Sequence, residues 1–460
     1  MRINELILYR DFKHEDILTG MVGLFELAEK FKTGKDINAD DKERANIADG
    51  VNDEADAGIK KEFEEAQSTV YTMANRLIEL ASSHGYKGNL WQAFLTYLIA
   101  NNENAYSTAC EIRGEVFGTI NDVALHDFEI FKELFECDIA LLDKVFKTSC
   151  MSFAADYTSA DEKSKLFNKR IRDRIIELKG QLCAAKSPEE FKERVTQFYG
   201  EFGVGKFGLH KAFRIEHTDS GVEILPITNI MHVYLEDLVG YESAKKKLTD
   251  NTEAFLKGKP CNNCLLFGDA GTGKSSSIKG ILNRYYEDGL RIIEVYKHQF
   301  KDLNEVIAQI KNRNYRFIIY MDDLSFEDFE IEYKYLKAVI EGGLEKKPDN
   351  ILIYATSNRR HLVREKMSDK ADRDDELHTS DTVAEKLSLA ARFGVSIFFC
   401  RPDKKEFNNI VKSLATRYNI TMDEDELLSE ANKWELSHGG LSGRCAQQFI
   451  DYIRGSYYGS

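Results

Sequence analysis

From residue 1 to about residue 200, apolar side chains recur at every third or fourth position, as in Tyr71, Met73, Leu77, Ile78 and Leu80, and proline is nearly absent. That spacing predicts helices. At Gly203, Gly205 and Gly208 the texture changes to glycines followed by alternating apolar residues, which predicts a connector with short strands over 201–230. From residue 231 onward, short runs rich in β-branched and aromatic residues alternate with helical patterns: Cys264 to Phe267, Arg291 to Val295, Phe317 to Met321, Ile351 to Ala355 and Val395 to Phe399. Strands separated by helices predict an α/β domain, a parallel sheet with helices on both faces, over 231–402. Beyond Pro402 the pattern is helical again, first at Lys404 to Tyr418 and last at Leu441 to Tyr452. Residues 403–460 are therefore expected to form a C-terminal helical lid, and residues 1–200 a mainly α-helical domain.

Composition narrows the setting. A chain of 460 residues, 43% apolar and 30% charged, has material for two or three packed cores. The longest apolar runs, Leu90 to Ala100 and Phe393 to Cys400, fall short of the roughly 20 residues that span a bilayer. The first residues, MRINELILYRDFKHED, lack the basic start, apolar middle and cleavage site of a signal peptide. A cytoplasmic protein that does not use a membrane is expected.

Most of the formal net charge of −14 falls in residues 1–230. An acidic surface repels phosphate backbones, so nucleic acid is not a favoured partner. The basic run Lys163 to Arg174 reads as the solvated face of a helix, and the acidic stretch Asp36 to Glu65 as loops and solvated helix. Within the latter, Asp53-Glu54-Ala55-Asp56 spells a helicase signature but has no apolar strand before it. Gly203-Val204-Gly205-Lys206 has neither the spacing nor the flanks of a phosphate loop and reads as a turn. Eight scattered cysteines suit free thiols in a reducing compartment. The CxxC pair Cys261 and Cys264 opens an apolar strand, with no second ligand pair, and reads as buried strand residues.

The chemistry concentrates in three places. Gly268-Asp269-Ala270-Gly271-Thr272-Gly273-Lys274-Ser275 fits G-x-x-x-x-G-K-[ST], a match expected by chance in a chain of this size on the order of 1% of the time. A strand precedes it, and a helix pattern beginning at Ser276 follows it. Backbone N–H groups and the helix N-terminus would therefore converge on phosphate oxygens. Lys274 would set its charge on the outer phosphates of ATP, and the Ser275 hydroxyl would help to hold Mg2+. The strand Phe317 to Met321 ends in Asp322 and Asp323. Asp322 would orient the magnesium shell and Asp323 would polarise a water for in-line attack. The strand Ile351 to Ala355 runs into Thr356-Ser357-Asn358, where Asn358 could hydrogen-bond the attacking water or the terminal phosphate.

Phosphate loop, DD-ended strand and ATSN-ended strand follow one another in the order and spacing of the AAA+ ATPases, which this chain resembles. Leu238-Val239-Gly240-Tyr241 is similar to the AAA+ segment whose backbone cups adenine. Leu389-Ala390-Ala391-Arg392-Phe393 resembles the segment bearing the arginine finger, and Gly443-Arg444 the second sensor. More narrowly, NNCLLFGDAGTGKSS, MDDLSFE, YATSNRRHL, EKLSLAARFG and GLSGRCAQQF resemble the bacterial predicted ATPases grouped as domain of unknown function 815. The resemblance covers roughly residues 200–460. It implies a P-loop NTPase sheet core, ATP and Mg2+ as ligands, and homo-oligomerisation through the AAA+ domain. It also implies Arg392 acting on a neighbouring subunit's nucleotide and Arg444 acting from the lid on its own. Arg359 and Arg360 are rivals to Arg392, and the charged stretch from Arg364 to Lys386 reads as a surface loop.

One residue departs from the commonest AAA+ pattern, which ends the second strand in Asp-Glu; here the second acid is Asp323, one methylene shorter. Three functions stay open on the sequence. The first is an ATPase working on an unidentified macromolecular partner, the second a nucleotide-dependent switch or scaffold with negligible hydrolysis. The third is an initiator-like or loader-like nucleic-acid binding ATPase, suggested by the DD ending.

Overall fold

The computed structural model describes residues 2–41, 53–158, 168–219, 221–228, 230–231, 233–326, 332–341, 348–358 and 389–457. They fall into two compact units, Met1–Leu209 and His210–Ser460.

Besides a short 3-10 turn at Ile3–Glu5, the described residues of the first unit form ten α-helices. They are α1 (Glu15–Asp41), α2 (Asp53–His84), α3 (Leu90–Asn101), α4 (Ala105–Arg113), α5 (Ile120–Phe135), α6 (Ala140–Phe146), α7 (Met151–Ala155), α8 (Lys169–Ala184), α9 (Pro188–Phe202) and α10 (Gly205–Leu209). The apolar run LWQAFLTYLIA is α3, which Asn89 caps by accepting the Gln92 N–H, and Leu90, Trp91 and Ala93 through Ala100 are all buried. A helix apolar on every side is the centre of a core, and α3 packs against α2, α5, α7, α8, α9 and α10. Asp53–Asp56 is the opening turn of α2 and not a strand end. Gly203 caps α9, and Gly205 opens α10. Several polar groups of this core are paired over long sequence distances. Asp127, fully buried on α5, accepts the backbone N–H groups of Ile7 at 2.9 Å, Leu8 at 2.7 Å and Tyr9 at 3.1 Å, which ties the first residues to the bundle. Tyr199 donates to the Ile99 carbonyl at 2.7 Å and meets the Tyr9 hydroxyl at 3.0 Å.

The second unit is built on one seven-stranded sheet: β1 (Ala212–Thr218), β2 (Gly221–Pro226), β3 (Cys264–Gly268), β4 (Leu290–Glu294), β5 (Arg316–Met321), β6 (Ile351–Ser357) and β7 (Val395–Phe399), in the order β2-β1-β4-β5-β6-β3-β7. Only β1 with β2 is antiparallel. The five strands expected from the apolar runs are the five consecutive parallel strands β4, β5, β6, β3 and β7. The hairpin of residues 212–226 was expected to belong to a connector, but it extends the sheet: β1 pairs with β4 in parallel, Ala212 opposite Ile292. Alternating burial along an edge hairpin marks it as half-exposed, and nothing local encodes which strand it joins.

Around the sheet lie α11 (Glu242–Leu256), α12 (Lys274–Tyr285), α13 (Leu303–Ile310) and α14 (Glu332–Glu341). The lid holds α15 (Lys404–Arg417), α16 (Glu424–Ser437) and α17 (Gly443–Tyr457) around its own core of Phe407, Ile410, Leu414, Phe449 and Ile450. All eight cysteines are free, with Cys264 buried on β3. Among the described residues no helix is long and apolar enough to cross a membrane, and no group of His, Cys, Asp and Glu side chains makes a metal cluster.

Replacing Asp127 by Ala would leave three backbone donors without their acceptor. The expected loss is about 3 kcal/mol or more, read as a lower urea midpoint for the helical signal of the full chain; an unchanged midpoint would show that the tether of the first residues is energetically idle.

Candidate functional site

The phosphate loop leaves β3 at Gly268 and enters α12 at Gly273, which caps that helix with φ 90°. Gly268 has φ 136°, and a Cβ there would lie 2.0 Å from the Phe399 carbonyl oxygen, so only glycine lets β3 and β7 approach where the loop departs. At Gly271, φ 75°, a Cβ would come within 3.1 Å of the Arg444 Cβ and the Ser442 Oγ, so the loop and the start of α17 also touch. Arg444 donates its backbone N–H to the Gly271 carbonyl at 3.2 Å.

Lys274 folds back into this loop. Its ammonium donates to the Gly268 carbonyl at 2.9 Å, the Asp269 carbonyl at 2.7 Å and Asn358 Oδ1 at 2.9 Å. The side chain is buried, and desolvation lowers its pKa, against the opposing pull of Asp323, Asp269 and Asp322. Asn358 spends its other end on Asp323: Nδ2 donates to Asp323 Oδ1 at 2.7 Å. One amide thus bridges the loop lysine and the second acid. Asp323 itself has φ 49° and gives its N–H to Thr356 Oγ1 at 2.9 Å.

Asp322 gathers three hydroxyls on a single oxygen. Ser275 donates to Oδ1 at 2.7 Å, Tyr320 at 2.7 Å and Thr356 at 2.5 Å. Burial alone would raise this acid's pKa, yet the hydrogen bonds from Thr356, Tyr320, Ser275 and the Asp323 backbone together outweigh it and lower the pKa. The carboxylate therefore stays ionised into the acidic range, ready for a cation. Sequence reasoning did not single out Tyr320 or Thr356. The signal for Tyr320 was available, since residues two apart on a strand share a face.

These groups line one open cavity of about 830 Å3, large enough for a nucleotide. Its polar end carries Ala270 to Ser277, Asp322, Asp323, Asn358 and Arg444. Gly268 and Asp269 lie behind it, Asp269 accepting the Arg401 N–H at 2.9 Å. Its other end is apolar and is lined by Met231, Val233, Val239, Tyr241, Ile410, Leu414 and Tyr418. Tyr241 anchors that end, with its hydroxyl donating to the Cys400 carbonyl at 3.1 Å and its ring 5.3 Å from that of Phe399. Burial pushes its pKa well up. Gly240, φ 81°, adds no cavity surface but turns the chain between Val239 and Tyr241. An ion pair the sequence did not suggest, Arg417 with Asp237 at 3.0 Å, joins α15 of the lid to this rim.

Arg392 does not reach the cavity and pairs with Glu341 of α14. Arg359, Arg360 and the stretch 364–386 lie outside the described residues.

The residues present fit a nucleotide with Mg2+. Gly271 and Gly273 line the cavity with positive φ, and the hydroxyl of Ser275 donating to Asp322 forms an all-oxygen donor pair that suits a hard cation.

A mostly parallel α/β sheet that carries this loop between β3 and α12, completed by a helical lid, defines a P-loop protein of the AAA+ class. The chain belongs to the family described as "Protein of unknown function (DUF815)", whose model matches residues 208–457. Over 73 residues it is 37% identical to the replication factor C large subunit of Staphylothermus marinus, covering 16% of each chain. Among solved structures it is similar to a RuvB variant of Thermotoga maritima, with a TM-score of 0.35, 18% identity, and 49% of this chain and 66% of that one covered. It is also similar to the Thermotoga maritima RuvB Holliday junction branch migration motor, with a TM-score of 0.32, 14% identity, and 50% and 74% covered. The chain thus spans about a sixth of the replication factor and about two thirds of the first RuvB chain, likenesses too slight to carry activity or partner.

Two glycines at the site separate steric need from backbone need. Gly268→Ala is expected to cost about 4 kcal/mol or more, because a Cβ cannot share space with the Phe399 carbonyl. Gly240→Ala, with nothing within 4 Å, should cost only the roughly 1–2 kcal/mol of a left-handed backbone. Thermal unfolding of both variants checks the contrast, and equal losses would contradict it.

Proposed function

We propose that this protein is a Mg2+-dependent ATPase that couples hydrolysis to movement of its lid and of neighbouring subunits. The observation that supports this reading most directly is the Asn358 bridge between Lys274 and Asp323, since a site built only to bind nucleotide has no need to fix an acid beside the phosphate loop.

Each residue then has a task. The N–H groups from Gly271 to Ser276 and the N-terminus of α12 take the phosphates, while Lys274 exchanges two loop carbonyls for the outer phosphate oxygens. Val239 and Tyr241 enclose the base at the apolar end, with Gly240 turning the chain between them. Ser275 and Asp322 would hold Mg2+, which when bound supplies positive charge to the phosphates. Asp323 accepts the proton of the attacking water, and Asn358 keeps that carboxylate aimed. Arg444 reaches the terminal phosphate from the lid, so that the angle of the lid follows the nucleotide state. Arg392 serves the nucleotide of an adjoining copy in a homo-oligomer. To do so it must leave Glu341, which holds it in reserve in the single chain.

Residues 231–402 are the nucleotide-binding part of this reading and residues 403–460 its lid, while the mainly helical residues 1–200 carry no assigned role. The cytoplasm, where ATP and Mg2+ are plentiful, is the proposed location. The names of the relatives speak of replication and branch migration, but the excess of acidic residues weighs against nucleic acid as the partner here.

Steady-state ATP hydrolysis measured against protein concentration tests the proposal. Specific activity should rise with concentration as shared sites form. Lys274→Ala should weaken nucleotide binding about 10- to 100-fold, the worth of a charge-assisted contact. Asp323→Asn should keep binding and lose about 10²-fold or more in turnover. Arg392→Ala should bind ATP normally and lose about 10³-fold in the assembly. Tight ATP binding with no turnover at any concentration would instead favour the switch, for which the short reach of Asp323 is the specific support.

A further inference from the structure

We propose that Tyr320 is a positioning residue for the metal-binding carboxylate: its buried hydroxyl fixes Asp322 and thereby sets how strongly Mg2+ binds with nucleotide. The inference rests on reading the cavity as a Mg2+-nucleotide site and adds a residue that the phosphate-loop pattern does not contain. Tyr320 sits on β5 between β4 and β6, opposite Glu294 and Tyr354, with its side chain in the sheet core and 4% exposed. That position asks only for an apolar side chain. A phenol there brings a polar atom into the core that must be paired. Its partner is Asp322 Oδ1 at 2.7 Å, two residues on and on the same face.

The three hydroxyls on Oδ1 are not equivalent. Ser275 belongs to the phosphate loop; a serine donates with its hydrogen and ligates with a lone pair, so it can serve the cation and Asp322 together. Thr356 divides itself between the two acids, donating to Asp322 and accepting from the Asp323 N–H. Tyr320 donates to Asp322 from inside the sheet core, and its hydroxyl also lies within hydrogen-bonding reach of the Ser275 and Thr356 hydroxyls. It is rigid, because a ring packed in a sheet has no other rotamer to visit. Mg2+ demands near-ideal octahedral geometry, so a carboxylate held in one orientation binds it better than one free to turn. Losing an outer partner of a metal ligand typically weakens the metal 10- to 100-fold.

The test is a titration of MgCl2 into the full chain with a fluorescent N-methylanthraniloyl ADP, comparing wild type with Tyr320→Phe, which removes one oxygen and leaves the ring. The expected result has three parts: equal nucleotide affinity in EDTA, equal melting temperature without metal, and an Mg2+ midpoint raised about 10-fold or more in the variant. Equal Mg2+ midpoints in a wild type that does respond to Mg2+ would overturn the role of Tyr320 and leave the nucleotide site standing. Loss of affinity already in EDTA would also overturn it, by showing a structural role only. A wild type whose ADP affinity ignores Mg2+ would remove the metal site itself.

Discussion

A desolvated positive charge organises the phosphate end of this protein. The Lys274 ammonium is buried and satisfied by the Gly268 and Asp269 carbonyls and by Asn358. A buried cation is tolerated only where it is hydrogen-bonded on several sides, so the loop must curl around it. That curl in turn requires the bare backbone at Gly268 against Phe399. The ends of β3 and β6 are thus tied together through one side chain, while β7 is held against β3 where Gly268 meets Phe399. The acids around it matter equally. Asp322 and Asp323 oppose a bare polyphosphate, so the local field favours an anion that arrives with a divalent cation over one that arrives alone.

The apolar end obeys a different constraint. Leu238 and Tyr241 pack on the core of the sheet, whereas Val239, between them, packs on the core of the lid. A four-residue segment therefore belongs to two cores, and whatever lies against it senses both. With Arg417 and Asp237 at this rim, and Arg444 against Gly271 at the phosphate end, the lid touches the base at both ends of the cavity. Rotation of the lid would alter both contacts at once.

Much of this was legible in the sequence. The glycine loop, the acids after β5 and the polar exit of β6 each stand where an apolar run stops, so run ends alone locate Lys274, Asp322 and Asn358. The extension of the sheet by residues 212–226 was hidden, because a hairpin declares its own pairing but not the strand its edge will join. Tyr320 was hidden for another reason: inside an apolar run a tyrosine reads as one more large side chain, and only its distance from Asp322 distinguishes it. The Arg417 and Asp237 pair, 180 positions apart, leaves no periodic trace at all.

Asp323 occupies a left-handed backbone conformation, φ 49°. Among residues with a β-carbon, aspartate and asparagine enter that region most readily, because their short polar side chains bond to nearby groups. Glutamate lacks that local reach. The shorter acid at this position is thus a choice dictated by the main chain: the turn after β5 selects the residue, and the residue's length then sets how far the carboxylate extends. A glutamate grafted here in imitation of the commoner AAA+ ending would keep the backbone N–H bond to Thr356 but meet the roughly 1–2 kcal/mol cost of the left-handed backbone with less local hydrogen bonding to offset it.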